Sequence, residues 1–511
     1  MTDMDRPLTI EEIRAAAEQT RDAMELERYE MERGLRPVGE CVEPGGRWPR
    51  LFERESLETV ESALTAAEAA VESRTGDAAE VARLRRLRSW LTRSFTEREV
   101  RSIDEAIHRR AHEARVTDSD GRLHPLRDVR RLLADTEPAE ERARLDKARV
   151  QACEELAPLL AERLGICHGI ARSLGRESFR ELWRDCVGID PEALLELAEG
   201  ALAETDDMYR DVLGWTVRKR LGCSLEDAGR HDIPHVLAGR YSDYGESYDG
   251  KGLLALTREF VGAMGLDLRC HGRLKIELHE SRAGAHRAAV HPLHVPRDVR
   301  LSLDLPTERR DLLGWLGVLG RGLFLANIDK DCPFEDRRLG DGAIDLSWSR
   351  VFENLLLDKT FLKSVLKVQR PRDYDILAWL ERLYDLRLVA ARVIYELELY
   401  SGGSVERMQE RYSEIFRRAL VVRTPAEMYL HEVRKPFHSI DQLRARTFTA
   451  LLSEHLGHYF NADWWQNPRT GVFLRQEWAP GRRQDLDEKR RELGGGAPTL
   501  RPLLKQFERH L

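Results

Sequence analysis

No stretch of the 511-residue chain approaches the roughly 18 uncharged apolar residues that a membrane-spanning helix needs, so a transmembrane reading is excluded. Cysteine is scarce. There are seven, an odd number, and no Cys-x-x-Cys pair. This argues against a disulfide framework or a zinc ribbon and for the reduced thiols of a cytoplasmic protein. The opening Met1-Thr2-Asp3-Met4-Asp5-Arg6 lacks the basic-then-apolar order of a secretory signal. An excess of positive charge is missing too. The 82 Lys+Arg and 89 Asp+Glu leave a net charge of −7, with no electrostatic reason to expect nucleic acid as a partner. No Gly-x-Ser-x-Gly, P-loop or Gly-x-Gly-x-x-Gly run follows a strand pattern, which removes the familiar serine-hydrolase, phosphate-loop and dinucleotide-binding readings.

What is present is charge of both signs, 33% of the chain, beside 42% hydrophobic residues. That is enough apolar material for a large core, and a mainly disordered chain is ruled out. The length allows about two to four domains, or one large helical body with two lobes. The first 265 residues read as helix after helix. Leu8–Glu32 starts at Thr9, which can cap the helix while Glu12 reaches back to it. A Gly/Pro-rich loop follows between Gly34 and Trp48. Ser56–Ser73, Ala78–Leu91 and Ser102–Asp120 then carry apolar residues at three- and four-residue spacing. We divide the chain into a helical region over 1–150, a second domain over 151–490 and a charged tail over 491–511 that contains Gly494-Gly495-Gly496.

The period changes between Arg273 and Leu305. Leu274, Ile276 and Leu278 alternate with polar or charged neighbours, as do Val299, Leu301 and Leu303, which predicts two half-buried strands. His291-Pro292 and Val295-Pro296 read as the link between them. Helical spacing returns at Asp311 and continues to about Asn461. Trp315 to Asn327 is apolar almost all round, and predicts a buried helix. Gly314, Gly317 and Gly320 recur in it every third residue. Each costs roughly 1 kcal/mol relative to alanine inside a helix, so something must approach the backbone closely. Arg321 is the only charge in that stretch.

The region Ile276–Leu357 resembles the zinc metallopeptidases related to oligopeptidase F and thimet oligopeptidase, especially a bacterial branch of that family. The residues that carry the resemblance are Glu277-Leu278-His279-Glu280-Ser281-Arg282, Ala285-His286-Arg287-Ala288-Ala289 and Val295-Pro296-Arg297-Asp298-Val299-Arg300-Leu301. They continue through Pro306 and Asp311 into the buried helix, which ends at Ala326-Asn327, and resume at Arg350-Val351-Phe352-Glu353-Asn354. Further matches, from Ala171-Arg172 upstream to Asp463-Trp464-Trp465-Gln466-Asn467-Pro468 downstream, extend the likeness in order over about 155–480. The resemblance implies a mainly α, two-lobed helical metallopeptidase-like fold, with a small β-sheet lining a central channel.

In that family two histidines four residues apart on one helical face and a later glutamate hold zinc, and a glutamate beside the first histidine activates water. Carried over position by position, the first histidine is Gly317, the catalytic glutamate Val318, the second histidine Arg321 and the third ligand Leu346. Glycine, valine and leucine donate nothing to a metal, and a guanidinium is a permanent cation that repels one. The resemblance therefore implies no zinc and no other cofactor. A tyrosine common near the family's C-terminus is His438 here. For Arg321 two readings stand: a positive charge near the place of the metal, or an internal ion pair with Glu353 or Asp345.

Other candidates are weaker. His271, His279, His286, His291 and His294 crowd one segment, but strand alternation sends neighbours to opposite faces, so a shared metal site is not expected. His112-Glu113 and His431-Glu432 begin like a zinc motif and lack its second histidine. His455 and His458 have no carboxylate partner in sequence, and Cys332 has no base to activate it. The preferred reading is a non-hydrolytic pseudopeptidase that binds a peptide or small-molecule ligand in its channel, with His286, Arg287, Arg321 and His438 as candidate ligand-binding residues and a possible protein partner. The alternative is a repurposed, metal-independent enzyme of specialised metabolism using the same residues for acid–base chemistry. An active peptidase with a non-standard metal site is the third.

Overall fold

A computed structural model describes residues 6–36, 48–238, 250–279, 288–304, 309–367, 374–433 and 435–511. Helices dominate it, and five short strands form two small sheets among the described residues. The first helix, Ile10–Glu32, begins as its sequence requires: the Glu12 amide donates to Thr9 Oγ1 at 3.3 Å, and the Thr9 amide to the Glu12 carboxylate at 2.9 Å.

Apolar burial is divided between two large cores. One joins the helices between Val100 and Leu237 to Val405–Leu420, to most of the long helix Tyr374–Leu399 and to the last helix, Arg501–His510. The other joins Gly250–Ala263, a three-stranded sheet and the helices Arg309–Asn327 and Gly342–Glu353 to Pro468–Trp478. Two helices span both. Tyr374 and Ala378 lie in the second core while Leu380 to Leu399 lie in the first; Ile440 and Leu443 of the helix His438–Phe460 lie in the first while Ala445 to Phe460 lie in the second. The result is a mainly α, two-lobed body with continuous helices tying the lobes together. No described helix is long and apolar enough to cross a membrane.

The segment read as helical over Ser102–Asp120 is shorter. The helix ends at Glu113, and Arg115–Thr117 pairs antiparallel with Leu123–Pro125. Local chemistry stops it: Asp118 Oδ1 accepts from the amides of Asp120 and Arg122, both at 2.9 Å, and Gly121 takes the left-handed φ of +78° that closes the turn. The link through His291-Pro292 is likewise a strand. Leu274–His279 lies parallel to the middle strand Asp298–Asp304, and Ala288–His294 pairs antiparallel on its other side. Proline is tolerated there because the strand is at the sheet's edge, where a missing N–H breaks no ladder bond.

The apolar face of this sheet, Leu274, Val299, Leu301 and Leu303, is buried and packs on the helix Arg309–Asn327. Its charged face is covered by the first helix. Tyr29 Oη lies 3.0 Å from both Glu277 carboxylate oxygens and accepts from Arg300 at 3.2 Å, while Arg28 donates to the Val290 carbonyl of the edge strand at 3.3 Å. The alternation is thus that of a sheet with cover on both sides.

Candidate functional site: the glycine helix and its partner

Arg309–Asn327, here the glycine helix, crosses Gly342–Glu353 in close contact, and the glycines explain how. A Cβ on Gly320 would stand 2.4 Å from the Trp348 carbonyl oxygen and 2.7 Å from the Phe352 ring. A Cβ on Gly322 would meet Leu301 at 2.6 Å, on the sheet side. Two faces of one helix therefore need glycine, one against the partner helix and one against the sheet. Gly314 does not share this constraint, since its Cβ would make only an ordinary contact of 3.5 Å with Ala288.

Gly317, Val318, Arg321 and Leu346 all lie on these two helices. Gly317 is buried, and Val318, Arg321 and Leu346 are half-buried. The space over Gly317 is taken from the facing helix: a Cβ there would come within 2.7 Å of Glu353 Oε1. The other oxygen of Glu353 accepts from Arg382 on the long helix at 3.3 Å. Of the two partners anticipated for Arg321 it is Asp345 that is paired, with Arg321 Nε donating at 3.0 Å. Asp345 also receives Arg482 through two bonds, at 2.9 and 2.8 Å. Burial pushes its carboxyl up, but the Arg482 and Arg321 charges overcome this and hold it near 2. The internal ion-pair reading of Arg321 is the one observed.

The glycine, valine, arginine and leucine at these positions offer no neutral or anionic donor to a zinc ion. A histidine at 317 would have to displace the end of the Glu353 side chain. Among the described residues, no group of three His, Cys, Asp or Glu side chains is placed to hold a metal.

Desolvation raises the Glu97 carboxyl above its ordinary value. It senses Arg93 and Arg21, and Arg21 in turn senses Arg482. His438 is exposed, and desolvation together with the charges of Lys435, Arg392 and Arg446 keeps it below the usual imidazole range. It is therefore neutral near pH 7. His286 and Arg287 lie outside the described residues.

The remaining candidates have structural explanations. His291 is fully buried edge-on to Tyr29, at 5.0 Å between rings, and burial lowers it to about 4. His455 stacks on Phe473 and Tyr459. The half-buried Cys332 thiol donates to the Ala479 carbonyl and burial raises it, the opposite of an activated nucleophile. Two residues, Arg482 and Arg382, escaped the sequence reading altogether, and Glu353 was anticipated only as a partner for Arg321, not over Gly317. Glu353 was visible as a charge on a helix, but nothing in its spacing tells which glycine it would cover.

No protein-family model matches the chain, and no curated protein matches it in sequence. In structure it is similar to a protein solved by X-ray crystallography and described as a candidate oligoendopeptidase F. The TM-score is 0.68 and the identity 13%, over 99% of this chain and 97% of that one. At that identity the likeness is one of fold alone. The chain has an oligoendopeptidase F-like fold.

Proposed function

We propose that this chain is a metallopeptidase-like protein that performs no zinc hydrolysis, a cytoplasmic pseudopeptidase that binds a peptide or another small ligand in its polar channel. One observation carries the reading. Where the family resemblance would put metal donors, two packed helices carry Gly317, Val318, Arg321 and Leu346, and the end of the Glu353 side chain lies over Gly317. Without a bound metal there is no Lewis acid and no water of lowered pKa to attack an amide. Arg321, held by Asp345, and His438 remain as groups able to contact a ligand's carbonyl or carboxylate oxygens.

Metal analysis of the purified protein tests this: well under one zinc per chain is expected, and stoichiometric zinc overturns the reading. Rebuilding the donors as Gly317→His, Val318→Glu, Arg321→His and Leu346→Glu should recruit zinc more tightly when Glu353→Ala is added, because the Glu353 carboxylate must otherwise swing out of the first histidine's space.

A second reading, a repurposed metal-independent enzyme, is favoured by His438 alone. A water-accessible imidazole kept neutral at physiological pH can take a proton. Turnover that survives chelators and disappears in His438→Ala would favour it over pure binding.

A further inference from the structure

A cavity of about 140 Å³ lies between the helices Arg54–Glu72, Ala78–Glu99 and Phe179–Val187. A void of roughly 150 Å³ is enough to hold a benzene ring, so this one admits a small molecule as well as water. Leu57, Leu174 and Leu182 form its apolar wall, Leu57 and Leu182 being buried. None of its lining residues belongs to the glycine helix or to the helix that crosses it.

Three arginines and three carboxylates also line it. Four of these six charges pair off. Arg54 Nε donates to Glu58 at 3.0 Å, and Arg176 meets the Asp185 carboxylate in a short contact, where Arg184 joins it at 3.1 Å. Arg88 and Glu61 are left over, and neither forms an ion pair among the described residues. Further along the same helix pair Glu68 does meet Arg85, at 2.7 Å. Cys186 adds no charge to the wall, because burial raises its thiol and keeps it protonated.

Arg88 turns instead to the Asp185 carbonyl, to which its Nη2 donates at 2.6 Å. That carbonyl is one of the last four of the helix Phe179–Val187, which the helix itself leaves without a partner. The bond fixes the guanidinium and uses one of its five N–H donors. Arg88 Nε and Nη1 have no acceptor among the described residues, and neither is sealed off from water. Glu61 is exposed on the opposite side of the helix pair's groove, with its carboxylate likewise unmatched. A fixed cation and an anion, each lacking a counter-charge, thus border one cavity with an aliphatic wall. A ligand with one charge of each sign on a short apolar body would answer both.

We propose that this cavity binds a free α-amino acid with a small aliphatic side chain. Arg88 receives the carboxylate, Glu61 the ammonium group, and the three leucines the side chain.

Calorimetric titration of the full chain with L-valine tests this, beside N-acetyl-L-valine, which lacks the ammonium group, and L-valinamide, which lacks the carboxylate. Valine should saturate with a dissociation constant of about 1 mM or below. Each blocked analogue should bind at least ~10-fold more weakly, the worth of one charge-assisted hydrogen bond. Arg88→Gln should weaken valine by a similar factor. Should that variant misfold, Glu61→Gln, a change at an exposed position, should weaken valine equally while the melting temperature stays that of the parent. The proposal is overturned if valine does not saturate by about 10 mM, if either blocked analogue binds as tightly as valine, or if Glu61→Gln binds valine as the parent does. Zinc analysis reads other residues, so failure here leaves the pseudopeptidase reading standing on its own test.

Discussion

Single glycine-to-alanine changes along one helix should separate into opposite signs, although every one of them gains helix propensity worth about 1 kcal/mol. At Gly314 the new methyl would make only the 3.5 Å contact with Ala288, so Gly314→Ala should keep most of that gain and stabilise by about 0.5–1 kcal/mol. At Gly320 the methyl would stand 2.4 Å from the Trp348 carbonyl oxygen, a backbone atom, and 2.7 Å from the Phe352 ring. Relief needs the two helices to part by roughly 0.8 Å, which loosens a well-packed interface. Overpacking costs up to ~3 kcal/mol, and subtracting the propensity gain leaves Gly320→Ala destabilised by about 2 kcal/mol. Gly317→Ala falls between, because the group in its way at 2.7 Å is the end of the Glu353 side chain, which can rotate. Urea unfolding at matched slope reads the series. A chain of this size has a slope at or above ~3 kcal/mol per M, so the extreme midpoints should differ by somewhat under ~1 M. A Gly320→Ala protein as stable as the parent would refute the close-approach account of this helix, and with it the geometry on which the blocked donor site depends.

Asp345→Asn should cost about 3–5 kcal/mol, because it strands two guanidinium groups that share one buried carboxylate. Asp345 is held near 2 in the folded chain, below its ordinary value. Its contribution, about 2 kcal/mol, is therefore complete above pH ~4 and lost as pH falls toward 2, and the asparagine variant should lack that acid-side slope in thermal melts. Asp441 has the opposite sign: burial and the neighbouring Asp341 push it up to about 7. Its contribution is greatest below the unfolded value near 4 and declines as pH rises through 7. Asp441→Asn should thus gain about 1–2 kcal/mol over the parent at pH 8 but not at pH 4, and equal shifts at both pH values would remove Asp441 from the argument.

The fold class was legible in the chain because helical periodicity is local. Thr9 and Glu12 announce a helix start, and Leu274, Ile276 and Leu278 announce a strand. The edge strand at Ala288–His294 was not legible, since prolines that suppress a central strand are harmless at an edge. That 317, 318, 321 and 346 carry glycine, valine, arginine and leucine is a fact of residue type, and residue type needs no coordinates. Which carboxylate Arg321 meets was open between Glu353 and Asp345. Both lie on the same facing helix, and only the crossing of the two helices aligns Arg321 with Asp345 and Gly317 with Glu353.

The amino-acid order alone determined that this is a mainly helical protein with a small sheet and a glycine-studded core helix bearing no metal donors at the expected spacing. Tertiary structure decided what surrounds that helix. Glu353 covers Gly317, and Arg482 arrives from far along the chain to share Asp345. Periodicity and residue chemistry act over a few residues and can be read in one dimension, whereas the compensation of a buried charge depends on which groups the packed helices bring within a few ångströms of one another.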